Sequence, residues 1–185
     1  MTSPTQTITD ALLGRARRRR KLAPAAGHYL PDLVYGANDG VITTFAVVSG
    51  VVGASLSERV IVVLGLANLV ADGFSMGASN YLARRSHAEP DLAGRRDALR
   101  HGVATTLAFV VVGTVPLAAY LVPLTSDARF PAAIALAAVA LFAVGASRTY
   151  VTKVGFGRSG LEMLLVGSLA GGFAYAVGAF VAAVA

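Results

Sequence analysis

Apolar residues in this chain do not alternate with polar ones; they run. Five stretches, residues 33–56, 60–82, 102–122, 130–147 and 161–185, are apolar nearly throughout and are separated by short polar segments. About 20 helical residues cross the ~30 Å hydrocarbon core of a bilayer, so each stretch is long enough or nearly so, the fourth being the shortest. Backbone amides find no water inside a membrane, which leaves only helices or a closed barrel. Continuous runs without a period of two select helices. The predicted fold is therefore an all-α integral membrane protein with five transmembrane helices in residues 31–185, preceded by a basic tail, residues 1–30. In that tail, residues 9–22 read either as an interfacial helix or as a disordered segment. In the first case Thr9 or Asp10 is the N-cap and Leu12 and Leu13 face lipid.

Composition sharpens this picture. Of 185 residues, 55% are hydrophobic and 14% charged, with a mean hydropathy of +0.65. A soluble domain carries about 25% charged residues and could not cover its surface with so few. The absence of Cys excludes disulfides, thiolate metal sites and cysteine nucleophiles. The chain also has no Trp, so Tyr and Arg are left as interfacial anchors.

The basic residues are distributed unevenly. Arg15, Arg17, Arg18, Arg19, Arg20 and Lys21 precede the first span. Arg84, Arg85, Arg95, Arg96 and Arg100 follow the second, and Arg148, Lys153 and Arg158 follow the fourth. Only Arg59 and Arg129 fall on the other side. The positive-inside rule then predicts a cytoplasmic N-terminus and a C-terminus across the membrane. Topology and attraction to anionic lipid explain the Arg run beside a span better than nucleic-acid binding does. The run also does not read as a cleavable signal, because the eleven residues 22–32, including Pro24, His28, Pro31 and Asp32, separate it from the first apolar stretch.

Charged residues inside a span are costly and usually functional. Three acids fall within the predicted spans: Asp39, Asp72 and Glu162. Glu162, one residue into the fifth span, is expected to complement the positive end of its helix. Asp39 and Asp72 lie deeper. Matching the cytoplasmic ends of antiparallel spans one and two pairs Leu33 with Leu82, Asp39 with Met76, Thr43 with Asp72 and Val47 with Asn68. At 1.5 Å per residue, Asp39 is then roughly 9 Å and Asp72 roughly 15 Å from the cytoplasmic end, one helical turn apart. Asn68, Asp72, Met76 and Asn80 recur every four residues and form one stripe. Carboxylate and amide oxygens suit hard divalent ions, and a thioether adds a softer contact, which leans toward Fe²⁺ or Mn²⁺. The candidate metal ligands are thus Asp39, Asp72, Met76 and Asn68, with core packing as the alternative for Met76. Interhelical hydrogen-bond glue is the alternative for Asn68 and the favoured reading for Asn80. His28, His87 and His101 lie at or outside the membrane boundaries, so no histidine metal cluster is expected. The pairs Gly36/Gly40, Gly73/Gly77 and Gly167/Gly171 permit close helix contact, within one subunit or between two.

Two of these segments carry a specific resemblance. Asp32-Leu-Val-Tyr-Gly-Ala-Asn-Asp39-Gly-Val-Ile-Thr-Thr-Phe-Ala-Val-Val-Ser-Gly50 resembles the first-span signature of the vacuolar iron transporter family. Gly65-Leu-Ala-Asn-Leu-Val-Ala-Asp-Gly-Phe-Ser-Met76-Gly-Ala-Ser-Asn-Tyr-Leu82 resembles its second. Weaker echoes follow at His101-Gly, Pro116 and Gly160-Leu-Glu-Met-Leu-Leu-Val-Gly, so the resemblance runs from about Pro31 to the C-terminus. It implies a five-helix homodimer that moves Fe²⁺ or Mn²⁺ out of the cytosol, with proton antiport as the driving force. Asp39 would be the first-span pore aspartate and Met76 the second-span pore methionine, each present twice at a two-fold axis. There are two departures. Many members carry Glu where this chain has Asn68, and Asp72 supplies a carboxylate one turn away. The segment 83–100 is too short and too basic to be the Glu-rich metal-collecting insertion of the iron-transporting members.

The function expected is divalent-metal export, with Asp39 and Asp72 coupling ion release to protons. The partners are lipid, metal ion, protons and a second copy of the chain, and no cofactor is expected. Two alternatives stand beside it: a non-transporting membrane protein held together by the same polar residues, and a proton-coupled carrier of another small cation. The chain has no nucleophile–base pair, phosphate loop or zinc motif that would mark an enzyme. Heavy use of Ala, Val and Arg points to a GC-rich bacterial source, which would make the membrane the plasma membrane.

Overall fold

The computed structural model describes the backbone of residues 4–87, 92–152 and 154–185, and the side chains of residues 27–86, 92–150 and 154–185. Every described element is helical: α1 Pro4–Gly53, α2 Glu58–His87, α3 Leu92–Leu121, α4 Ser126–Ser147, the single turn α5 Thr149–Thr152, and α6 Phe156–Val184. Four of them, α2, α3, α4 and α6, are long and apolar enough to cross a membrane. With the exposed aliphatic and aromatic side chains described below, they make this a multi-pass integral membrane protein.

The helices extend further than the apolar runs on the cytoplasmic-facing side of the prediction. The tail and the first span are one helix, α1, continuous through Pro24 and Pro31, not an interfacial helix followed by a separate span. The segment read as a loop at 83–100 is mostly helix, since α2 runs to His87 and α3 begins at Leu92. Arg84, Asp97 and Arg100 therefore sit on rigid scaffolds. Glu89, Asp91 and Lys153 lie outside the described residues. α6 begins at Phe156, so Glu162 is in its second turn and pairs with Arg158 at 3.0 Å. An ion pair on the helix surface thus replaces the expected contact with the helix end.

The turn between α1 and α2 explains where α1 stops. The amide of Leu56 donates to Val51 O (3.1 Å) and that of Ser55 to Val52 O (2.9 Å), while Ser55 has a positive φ of 55°. This is a Schellman end, in which a left-handed residue returns the chain so that the last carbonyls are satisfied. Glu58 opens α2 and forms an ion pair with Arg129 of α4, whose Nε also donates to Leu124 O at 3.1 Å. One of the two basic residues at this end is thus tied into the structure.

Packing places α1 at the centre. It contacts α2, α3, α4 and α6, whereas α2 leans mainly on α3 and α1, and α6 on α1 and α4. α1 is less apolar than the four helices around it because it includes the Arg-rich tail. Where it packs against them it accommodates Asn38, Asp39, Thr43, Thr44 and Ser49 among Val41, Phe45 and Val48. The core is built on Phe109, Leu69, Leu117, Ile61 and Val48, with a second cluster around Val41, Phe45, Leu141 and Met163. The outer helices expose large apolar side chains, such as Val63, Leu66, Val70 and Phe74 on α2 and Leu165, Leu169, Phe173 and Phe180 on α6. Water would penalise such a surface and lipid accepts it.

The small-residue pairs serve contacts inside the subunit. A side chain at Gly36 or Gly40 would meet the α3 backbone at Thr105 and Phe109, and one at Gly77 would meet Gly102 and Thr106. Gly167 abuts Leu141 of α4 and Gly171 abuts Phe45 of α1.

Candidate metal path between helices α1 and α2

Antiparallel α1 and α2 bring Asn68 beside Thr43 and Asn80 beside Asp32, in a register different from the one predicted. Asn68 Nδ2 donates to Thr43 Oγ1 at 3.5 Å, and Asn80 Nδ2 donates to Asp32 Oδ1 at 2.7 Å. Thr43 thus stands beside Asn68 and not beside Asp72. The tight turn at 54–57 sets this register, because it fixes Gly53 opposite Glu58 and every later pair follows. Matching the far ends of two apolar runs of unequal length misplaced it by one helical turn. The corrected register puts Asp39 level with Asp72, and Met76 one turn nearer the Asp32 end.

The register places the two carboxylates at the same level of the antiparallel helix pair. Asp39 is half-buried and Asp72 exposed, with Asn68 and Met76 half-buried on either side. Met76 also packs against the main core cluster, the role the sequence offered as the alternative to metal ligation. Thr43 Oγ1 donates back to Asp39 O at 2.9 Å, a local bond that leaves its lone pairs toward Asn68. Among the described residues, no side chain donates a hydrogen bond to either the Asp39 or the Asp72 carboxylate. Two adjacent unpaired acids on membrane helices are strongly unfavourable unless a cation, protons or another chain compensates them.

A different polar cluster closes the Asp32 end of the bundle. Asp32, only 6% exposed, accepts from Asn80 (2.7 Å), from Arg84 Nη2 at both oxygens (3.1 and 3.2 Å), and pairs with His101 Nδ1 at 2.5 Å. Asn80 Nδ2 also reaches Thr105 Oγ1 at 2.6 Å, and its Oδ1 accepts from Arg84 Nε at 3.1 Å. Burial pushes the Asp32 carboxyl up, but the hydrogen bonds from His101, Asn80 and Arg84 outweigh it and hold the group below the usual carboxylate range. Asn80 is therefore the interhelical glue expected of it, joining α1, α2 and α3.

Sequence reasoning missed Asp32, Arg84 and His101 as a unit. Their partial signals were the four-residue spacings Asn80/Arg84 and His101/Thr105, but only helix packing joins those spacings to Asp32. The histidines also depart from expectation. His28 and His101 face each other, with Nε2 atoms 3.0 Å apart; the side chain of His87 lies outside the described residues.

The pattern of the VIT family matches residues 30–97 and 89–179, which takes in the α1–α2 groove, the Asp32 cluster and most of the remaining bundle. The chain belongs to the VIT family. Among individual relatives, it is 29% identical over 165 residues to vacuolar iron transporter homolog 5 of Oryza sativa, covering 82% of this chain and 79% of the relative. It is 38% identical over 68 residues to the vacuolar iron transporter of Plasmodium berghei, or 37% of this chain and 25% of the relative. The match to the vacuolar iron transporter of Toxoplasma gondii is 46% over 55 residues, or 30% of this chain and 18% of the relative. The chain thus spans about a quarter or less of the length of the protozoan VIT proteins it matches.

Proposed function

We propose that this VIT-family chain transports a divalent transition metal, Fe²⁺ or Mn²⁺, out of the cytosol in exchange for protons. The observation that carries the reading is the pair Asp39 and Asp72, level with each other on antiparallel α1 and α2 and without side-chain hydrogen-bond donors among the described residues. Oxygen-rich coordination with one thioether, from Met76, suits these ions better than Ca²⁺ or Mg²⁺. The names of the relatives support iron as cargo.

In this reading α1 is the fifth crossing, and its polar residues are tolerated because the other helices surround it. The N-terminus is cytoplasmic, as the clustering of basic residues at one end of the bundle favours. The membrane is the plasma membrane if the source is bacterial. Two copies meet with the α1–α2 groove at or beside the two-fold axis, which covers the exposed Asp72 and gathers four carboxylates around the path. A 2+ ion favours the ionised carboxylates and so displaces their protons. Protonation from the opposite side releases the ion.

The test is uptake into proteoliposomes with an imposed pH gradient, comparing Fe²⁺, Mn²⁺, Zn²⁺ and Ca²⁺. Gradient-dependent movement of Fe²⁺ or Mn²⁺ is expected. No movement of any of the four ions in liposomes that hold folded protein would reject the reading.

A further inference from the structure

At the Asp32 end of the bundle, three side chains from two helices converge. Asp97 and His101 lie four residues apart on α3, hence on the same face, and His28 reaches them from α1. The two Nε2 atoms are 3.0 Å apart. Asp97 Oδ1 lies 3.6 Å from His28 Nε2, and Asp97 Oδ2 lies 3.5 Å from His101 Nε2. All three ligand atoms fall within 4.8 Å of one another. A metal bound at about 2.0–2.1 Å in tetrahedral geometry holds its ligand atoms about 3.3 Å apart, close to the separations already present.

We propose that His28, Asp97 and His101 form a second binding site, for a borderline divalent transition metal such as Fe²⁺, Mn²⁺, Co²⁺ or Zn²⁺. Two imidazoles and one carboxylate on one side of an ion are a donor set that such metals favour, whereas Ca²⁺ and Mg²⁺ prefer oxygen alone. His101 is fully buried, and its Nδ1 is held by Asp32 at 2.5 Å. That contact fixes the ring and aims Nε2 at the other two ligands, as an outer carboxylate does for a metal-bound histidine. Tyr29 packs on the same imidazole, with ring centroids 4.6 Å apart. His28 and Asp97 are by contrast 53% and 48% exposed. One wall of the site is therefore built in advance and the other is open to water. This suits an ion that exchanges, unlike a permanently enclosed structural metal.

The position suggests what the site does. His28 and Asp39 are eleven residues apart on α1, about three turns, so they lie within about 20° of the same face and some 16 Å apart along the axis. An ion held at His28 sits about three turns from Asp39 on the same face of α1. The site would gather the ion for the path and so take over the task of the Glu-rich insertion that this chain lacks. This last role rests on the transport reading; metal binding at the site does not.

The test uses the purified full-length protein in detergent with Co²⁺ alone as probe, read by its visible absorption and by equilibrium binding. The absence of Cys simplifies the spectrum. His28→Gln and Asp97→Asn alter exposed side chains, and their thermal midpoints should stay near that of the wild type. Each should weaken Co²⁺ binding at least 10-fold, and the double variant should lose one bound Co²⁺ per chain together with its visible bands. Asp39→Asn should keep those bands. Unchanged Co²⁺ stoichiometry and affinity in the double variant would overturn the site. In proteoliposomes, the double variant should raise the half-saturating Fe²⁺ or Mn²⁺ concentration about 10-fold, and an unchanged value would overturn the gathering role. If the wild type transports nothing while the Co²⁺ bands still depend on His28 and Asp97, the transport reading fails and the binding site stands.

Discussion

Asp32 and Asp39 sit two turns apart on the same helix, yet their surroundings are opposites. Asp32 is buried and saturated, with Asn80, Arg84 and His101 all directed at it. Asp39 is level with another acid, Asp72, and accepts from no side-chain donor among the described residues. A buried acid with every lone pair engaged is part of the scaffold, because removing it strands several polar groups at once. An acid left without partners on a membrane helix costs stability and is kept for what it can bind. On the proposed transport reading, the difference separates the polar residues that hold this bundle together from those that act in it.

The same chemical change at the two positions should therefore have opposite effects. Asp32→Asn keeps the shape but removes the charge facing Arg84 and places an NH₂ group against a donor. It should destabilise the protein by about 2–4 kcal/mol, read as a large drop in thermal midpoint in detergent. A midpoint within a degree or two of wild type would erase the distinction between the two sites. Asp39→Asn should leave the midpoint unchanged or raise it, while metal-driven proton release falls to background. Undiminished proton release would show that Asp39 does not couple ion to proton. Asp72→Asn should be at least partly defective in the same assay, since Asp72 is level with Asp39; normal transport would make it structural.

A smaller effect is expected at Met76. Met76→Leu keeps the volume packed against the core and removes only the sulfur. Fe²⁺ transport should fall more than Mn²⁺ transport, because the thioether contact matters more for the later metal. Equal losses would assign Met76 to packing alone and narrow the site to its oxygen ligands. The smallest effect concerns the turn that sets the register of the groove. Ser55 holds a left-handed conformation that glycine adopts without penalty, so Ser55→Gly should stabilise by about 0.5–1 kcal/mol with transport unchanged. A destabilised or inactive Ser55→Gly would mean that the hydroxyl, not the backbone conformation, shapes the turn.

Length and hydropathy were enough to read four membrane-crossing helices, α2, α3, α4 and α6, from the sequence, because in lipid a long apolar run has no other way to satisfy its backbone. The grouping of the basic residues at one end of the bundle was equally legible, as was the four-residue stripe on α2, since both follow from order along the chain. Helix ends were less so: Leu92 and Phe156 begin helices well before the apolar residues do, because the first turns stand outside the hydrocarbon and carry Arg and Gly. The level of Asp72 relative to Asp39 was beyond the sequence, since it depends on how many residues the turn at Ser55 consumes, and one helical turn of error exchanges one ligand for the next. The cluster of Asp32 with His101, and of His101 with His28 and Asp97, was further still from view. Sixty-nine residues separate Asp32 from His101, and no periodicity links them. They meet because glycines at 36, 40, 77 and 102 let α1, α2 and α3 approach until their backbones nearly touch. A side chain's neighbours along a helix are set by spacing, which the sequence contains. Its neighbours across helices are set by register and close approach, which only the packed bundle decides.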